Sequence, residues 1–286
     1  MASVRQIARR IRSVENTAKI TKAMAMIAAS KLRRSQDAAT QGRSYSENMA
    51  AMVSKVVSQT NEDESYQPLL ESRTIRNVGI VIVAPDRGLT GGLNANILRA
   101  TSDFISAQTA PVKVVAIGKK ALDFARRNGL EIIAEYTGIG DRPSPTDTLP
   151  IGEAVVEAFS SEKVDSFHTA YAQFVNTTLQ RPQVQPLLPV SPSETSSGNS
   201  VGYIFEPNAG DVLGRLLPRY VETLIHHAVL EGNASEQSAR MVAMNQATDN
   251  ANEMVDDLTL LMNKLRQETI TTELLDIVGG VAALES

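Results

Sequence analysis

The stretch Asp86-Arg87-Gly88-Leu89-Thr90-Gly91-Gly92-Leu93 has the residue types that come nearest to chemistry. It follows a short apolar run and precedes a helix-like one, a position where backbone N–H groups can cradle a phosphate. Its glycines are spaced G-x-x-G-G, which is neither G-x-G-x-x-G nor the P-loop, and no Gly-Lys-Ser/Thr follows. The pattern predicts instead a tight turn needing a positive φ, with Asp86 and Arg87 in surface contacts. The chain has three histidines and no cysteine, so thiol nucleophiles, disulfides and thiolate metal sites are excluded. A zinc site would need mostly carboxylates, against the usual preference for nitrogen and sulfur. His226 and His227 are adjacent, point about 100° apart on a helix and cannot share one metal; they read as surface or interface residues. His168 lies in a predicted strand with no acid nearby in sequence, and Asp256-Asp257 read as a solvated helix face. No set of nucleophile, base and orienting group emerges, so the chain does not read as an enzyme, and no cofactor or metal is expected.

The elements around that turn are unusual at both ends. Residues 1–41 and 233–278 contain neither Gly nor Pro. As unbroken helices at about 1.5 Å per residue they would span roughly 60 and 70 Å. Val4, Ile7, Ile11, Val14, Ala18, Thr21, Ala25, Ala28 and Leu32 step by three and four, as do Met241, Met244, Thr248, Ala251, Val255, Leu258, Met262 and Leu265. That is the seam of a coiled coil, thin where its residues are small. Ile270, Leu274, Ile277 and Val281 form a second seam offset by one residue. Gly232, and Asn233 followed by Glu236 as in a capping box, allow either one C-terminal helix with a weak joint or two helices. Pro218 falls in its first turns or kinks it.

Between the ends, strand-like runs at 78–84, 112–117, 131–136 and 166–174 alternate with helix-like ones at 93–106, 119–128 and 151–161. This alternation predicts a mostly parallel sheet with helices on its faces. Gly138–Pro150 and Pro189–Gly202 read as loops. The expected division is a helix over 1–60, an α/β domain over 61–207 and a helix over 208–286.

Net charge is −4, yet residues 1–34 carry nine basic side chains and one acid. A basic end implies an anionic partner. No apolar run approaches a membrane span, and the basic first 30 residues do not read as a secretory signal; a soluble, intracellular chain is expected.

The terminal segments resemble those of the gamma subunits of F-type ATP synthases. The resemblance rests on Ile11 through Met24 with Met26, Ala28, Ala29, Lys31, Leu32 and Arg33; on Asp86-Arg87-Gly88-Leu89 with Gly91 through Asn94; on Ala234 through Gln237 with Ala239 through Met241; and on Ile270 through Leu274 followed by Gly280. Val281, where the family usually has Ala, and Pro218 are departures. The resemblance implies a fold in which a long antiparallel coiled coil of N- and C-terminal helices carries an inserted Rossmann-like α/β domain. It implies a non-catalytic rotor shaft, one copy per complex, turning inside a hexamer of alpha and beta subunits. The globular base would bind epsilon and the membrane c-ring, so that ion flow drives ATP synthesis at beta. By the same resemblance Lys22, Met24, Arg266, Gln267, Thr271 and Glu273 would face beta, and Tyr203 and Glu206 would form the foot on epsilon and the c-ring. Val281 and Leu284 would sit in an apolar bearing at the apex. A bacterial protein is implied, peripheral on the cytoplasmic face of the membrane and touching it only through the complex. The family pattern runs through the Arg-rich start, which is therefore expected to be mature structure rather than a transit peptide.

Two other classes fit parts of the pattern. A nucleic-acid-binding coiled coil would use the basic helix on phosphates and show salt-sensitive binding. A dinucleotide-dependent enzyme would use the Gly-rich turn and take up nucleotide saturably. Neither has its expected motif, and no nucleic-acid partner is expected.

Overall fold

The computed structural model describes residues 3–59, 67–191 and 208–284, with backbone only for residues 58, 59, 209 and 281–284. Helix α1 runs Val4–Gln59 and helix α5 runs Ala209–Leu284. Between them lie β1 (Val78–Val83), α2 (Leu93–Ala107), β2 (Val112–Ile117), α3 (Lys119–Arg127), β3 (Glu131–Tyr136), α4 (Pro145–Ser160), β4 (Ser166–Phe174) and β5 (Gln180–Leu188). The chain separates into two compact units, one of α1 up to Ile27 with α5 from Met241 on, the other from Ala28 to Arg240.

In the first unit the seam residues Ile7, Ile11, Ala18, Thr21 and Ala25 of α1 are buried, as are Met244 and Ala251 of α5. The Thr21 and Thr248 hydroxyls meet at 2.7 Å; one donates to the other, and the accepting one sends its own proton to a carbonyl of its helix, Ala18 for Thr21 or Met244 for Thr248. Two small polar residues here satisfy each other where aliphatic ones would only pack, which fixes the register of the antiparallel pair. Advancing both helices by equal steps from that contact sets Val4 opposite Leu265. Consistent with this, every residue from Arg266 to Gly280 is exposed. The second seam is therefore not a packed seam of this chain: Ile270, Leu274 and Ile277 are 47%, 57% and 63% exposed.

In the second unit the three-and-four spacing of α1 continues beyond Leu32 through the buried Ser35, Ala39, Ser46, Met49, Val53 and Val56. Gly42 does not break the helix. A Cβ there would lie 2.8 Å from Leu230 Cδ1, so glycine is what lets α1 approach α5 closely. Likewise α5 is one helix through Gly232 and Pro218. Asn233 is not a cap; its side-chain amide donates to the Gly140 carbonyl at 3.2 Å, and Glu236 pairs with Arg240 at 2.6 Å instead of reaching back.

The sheet has the order β3-β2-β1-β4-β5, with β1 to β4 parallel and β5 antiparallel at the edge. Alternate residues of the central strands feed two cores. Val81, Val83, Val115, Ile117, Phe167 and Tyr171 pack with α4 and the Leu213–Val229 stretch of α5. Ile80, Ile82, Val114 and Ala116 pack with α3, and Leu98 and Phe104 of α2 add to them. Two elements differ from expectation. Strand β5 contains Pro182 and Pro186 and was not expected, but an edge strand tolerates proline because one side of its ladder is unpaired. Helix α4 starts within the expected loop, because Pro145 occupies the first turn, where its missing N–H costs nothing, and Asp147 accepts from the Ser144 N–H at 2.7 Å.

Candidate functional site

In an open parallel sheet a ligand crevice forms beyond the carboxyl ends of the strands where the strand order reverses, here between β1 and β4. The turn after β1 stands at that point. Leu89 and Gly91 take positive φ, 63° and 55°, so the left-handed turn is present, with a leucine at its first such position. Asp86 is half-buried rather than a surface contact. Its two oxygens accept from the Lys119 N–H at 2.9 Å and the Gly138 N–H at 3.0 Å. Its carboxylate is consumed in stitching the ends of β1, β2 and β3 together. Arg87 is exposed.

The crevice itself is filled by α5. Glu231, Ser235 and Ser238 recur one helical turn apart and are fully buried. Glu231 accepts from the Phe174 N–H at the end of β4 at 2.7 Å and from Arg43 of α1 at 2.5 Å. Ser235 donates to the Ala172 carbonyl at 2.8 Å and Ser238 to the Thr177 carbonyl at 2.6 Å. Sequence reasoning did not find this stripe. Its one signal is that Glu231 and both serines continue the apolar Leu213, Leu217, Val221, Ile225, Ala228 face. The Phe174 N–H, the donor at the carboxyl end of β4, is already paired to Glu231, and the Gly-rich turn lacks the phosphate-loop spacing, so the isolated chain is expected to bind no nucleotide. Equilibrium dialysis checks this, and saturable ATP uptake at one equivalent would contradict it.

The histidines are structural rather than surface groups. His226 Nδ1 lies 3.0 Å from the Thr148 hydroxyl of α4, His227 Nε2 lies 3.6 Å from Glu231, and the His168 ring packs on Phe104 with centroids 4.6 Å apart. Burial holds all three imidazoles below their ordinary value. The unfolded chain therefore binds more protons near and below its unperturbed value of about 6.5, and the stability these groups allow is full above that value and lost as pH falls. Burial raises Glu236, whose effect runs the other way, so the histidine share is isolated by substitution. The urea midpoint is expected to fall between neutral pH and pH of about 5.5, and His168→Leu to flatten that fall. A slope unchanged by His168→Leu would contradict the assignment.

The residues expected to face beta lie in the helix-pair unit. Lys22 is exposed and Met24 half-buried; Arg266, Gln267, Thr271 and Glu273 are all exposed. Thr271 donates to the Gln267 carbonyl within the helix at 2.9 Å. The two groups do not converge: by the Thr21–Thr248 register, Lys22 and Arg266 stand roughly 28 Å apart along the pair. Asp256 and Asp257 are exposed, as expected. Tyr203 and Glu206 lie outside the described residues. Val281 and Leu284 are in the last turn of α5, with no side-chain description. Further apolar residues stand out on the pair, with Ile20 and Met26 each 61% and Leu260 70% exposed. Among the described residues no group of three or more His, Cys, Asp or Glu could hold a metal, and no helix is long and apolar enough to cross a membrane.

A long helix pair with an unpaired apolar extension, attached to a parallel sheet whose crevice its own helix fills, defines a class of interaction subunit built around a coiled coil. Known proteins specify it further. A family model described as ATP synthase matches residues 3–284. An ATP synthase gamma chain of Dehalococcoides mccartyi (strain CBDB1) is 50% identical over 284 residues, covering 99% of this chain and 100% of that one. The ATP synthase gamma chain of Desulfitobacterium hafniense (strain DSM 10664 / DCB-2) is 44% identical over 285 residues, covering 100% of both. A chain in a cryo-EM structure of the Euglena gracilis mitochondrial ATP synthase matches with a TM-score of 0.68 at 19% identity, covering 98% of this chain and 94% of that one. One in the central stalk and c-ring structure of the Tetrahymena thermophila enzyme matches with a TM-score of 0.61 at 22% identity, covering 80% and 99%. The chain belongs to the ATP synthase family, among its gamma chains.

Proposed function

We propose that this chain is the rotating central shaft of an F-type ATP synthase and carries no chemistry of its own. The observation that carries this reading is the end of α5. From Arg266 to Gly280 the helix is exposed throughout, including Ile270, Leu274, Leu275, Ile277 and Val278. An apolar helix end of that length is an association hazard in water and calls for a partner that encloses it. The structural neighbours come from an F1 and c-ring assembly and from a central stalk with its c-ring, which supports a hexamer around the helix pair and a ring beneath the other end. The alpha–beta hexamer would surround the helix pair, and epsilon and the c-ring would hold the α/β portion, at the cytoplasmic face of a bacterial membrane. In this reading residues 1–60 and 208–286 are the shaft and 61–207 the globular portion. Lys22, Met24, Arg266, Gln267, Thr271 and Glu273 meet beta at two levels of the shaft, Tyr203 and Glu206 the foot, and Val281 and Leu284 the bearing.

Turning the shaft changes which face of the pair each beta subunit meets. The work comes from the difference in contact energy among beta conformations. Lys22 would contribute by charge. An exposed pair is worth about 0–1 kcal/mol, so Lys22→Ala is expected to be mild, whereas Lys22→Glu places like charges together and impairs coupling more. Protons pumped per ATP hydrolysed in membrane vesicles is the readout. Equal coupling in the two variants contradicts an electrostatic role. The shaft reading as a whole is tested by co-expression with alpha and beta, where one copy should co-purify with three of each. Recovery of the chain alone contradicts it.

A further inference from the structure

Resting on the shaft reading, we propose that Arg43, Glu231 and the Phe174 amide form the joint that carries twist between the α1–α5 helices and the sheet, with Glu231 as the positioning residue for coupling. Three elements meet at this one carboxylate. One Glu231 oxygen takes both Nε and Nη2 of Arg43, at 3.1 and 2.5 Å, and the other takes the Phe174 N–H at 2.7 Å. Arg43 Nη2 also reaches the Phe174 carbonyl at 3.3 Å, which closes the triangle between α1, α5 and β4. The Glu231 side chain is fully buried, so no water competes for it. Ser235 and Ser238 repeat the connection from α5 to the β4 end one and two turns on.

The physics favours this place over its neighbours. Leu213, Leu217, Val221, Ile225 and Ala228 hold α5 to the sheet by apolar contact, which is non-directional and resists sliding or rolling weakly. A charge-assisted fork fixes angle as well as distance. A second ion pair of α1, Lys31–Asp141, is 36% and 46% exposed and yields to water. A shaft needs an angle-independent contact where it turns against a bearing and an angle-fixing one where it must not turn, and the Arg43–Glu231–Phe174 triangle is of the second kind.

The test uses the assembled complex with alpha and beta. The chain has no cysteine, so a single Arg127→Cys on α3 gives a unique attachment for a bead, whose angular fluctuation is recorded in nucleotide-free, paused complexes. Glu231 uses both oxygens as acceptors, whereas an amide keeps one and loses the charge assistance, so Glu231→Gln is expected to raise the angular variance above that of the parent. Arg43→Lys, which keeps the charge but loses the fork, should raise it less, and Lys31→Ala should leave it unchanged. A merely structural role would lower the yield of complex without changing the variance of the complexes that form. If Glu231→Gln does not assemble, Arg43→Lys decides. Variance equal to the parent in the deciding variant overturns the proposal, as does a Lys31→Ala effect as large as that of Glu231→Gln. Failure of the parent chain itself to assemble overturns the shaft reading instead.

Discussion

Gly118→Ala is expected to destabilise the α/β sheet severely. Gly118 has φ 88° and ψ 152°, a region open essentially to glycine alone and costing a side-chain-bearing residue about 1–3 kcal/mol. A Cβ there would also lie 1.8 Å from the Ala84 carbonyl oxygen. That oxygen is backbone and cannot swing aside. Ala84 donates to the Ile117 carbonyl at 3.0 Å, Gly118 to the Tyr136 carbonyl at 2.7 Å, and Lys119 to Asp86 at 2.9 Å. Relieving the overlap means parting the ends of β1 and β2 and breaking these bonds. Strain and overlap together should exceed about 4 kcal/mol, a large share of the 5–15 kcal/mol that holds a typical domain. Gly129→Ala is the comparison: φ is 63° but a Cβ would meet nothing within 4 Å, so it should cost only about 1–2 kcal/mol. Circular dichroism through a urea titration checks both. A parental midpoint in Gly118→Ala contradicts the close approach.

Glu231→Ala should be nearly as damaging. Removing one partner of a buried pair typically costs about 3–5 kcal/mol because the other is left uncompensated. Here the orphans are the Phe174 N–H and Arg43. The Arg43 side chain is 42% exposed, so water recovers part of its loss and the expected cost is near the lower end, about 3 kcal/mol. Arg43→Ala leaves the fully buried carboxylate with the Phe174 N–H and, at 3.6 Å, His227, and should cost as much or more. The double variant should lose clearly less than the two single losses combined, which a double-mutant cycle in urea measures. Strict additivity would mean that the pair is not coupled.

The long helices and four of the five strands were legible because their signals are local. Apolar steps of three and four mark α1, and short β-branched runs such as Val78–Val83 mark strands buried on both faces. What escaped depended on distant partners. The seam of α1 beyond Leu32 passes through Ser35, Gly42 and Ser46, residues that read as polar or helix-breaking until Leu230 is seen against Gly42. Gly232 and Asn233 looked like a joint, but tertiary packing against Val83 and Gly140 holds the helix straight through. The prolines of β5 and of the α4 start argued against elements that tolerate them by edge position and first-turn position. Glu231 continues the apolar face of α5, but its partners are remote in sequence: Phe174 is 57 residues away and Arg43 is 188. The second seam was visible as a pattern, yet a pattern cannot say which chain covers it. Among the described residues nothing buries Ile270, Leu274 or Ile277. The resemblance to gamma subunits supplied the class, while the filled crevice, visible only in three dimensions, supplied the physical reason for expecting no nucleotide chemistry in this subunit.

ATP-driven rotation of the assembled complex separates a turning, non-catalytic shaft from a static or catalytic subunit. The complex with alpha and beta is held by the hexamer, a bead is attached at Arg127→Cys, and ATP is supplied. Sustained rotation in one direction that stops when ATP is withdrawn is expected, with no hydrolysis by the isolated chain. A bead that stays fixed while the assembled complex hydrolyses ATP, or ATP hydrolysis by the purified chain alone, would contradict a turning, non-catalytic shaft.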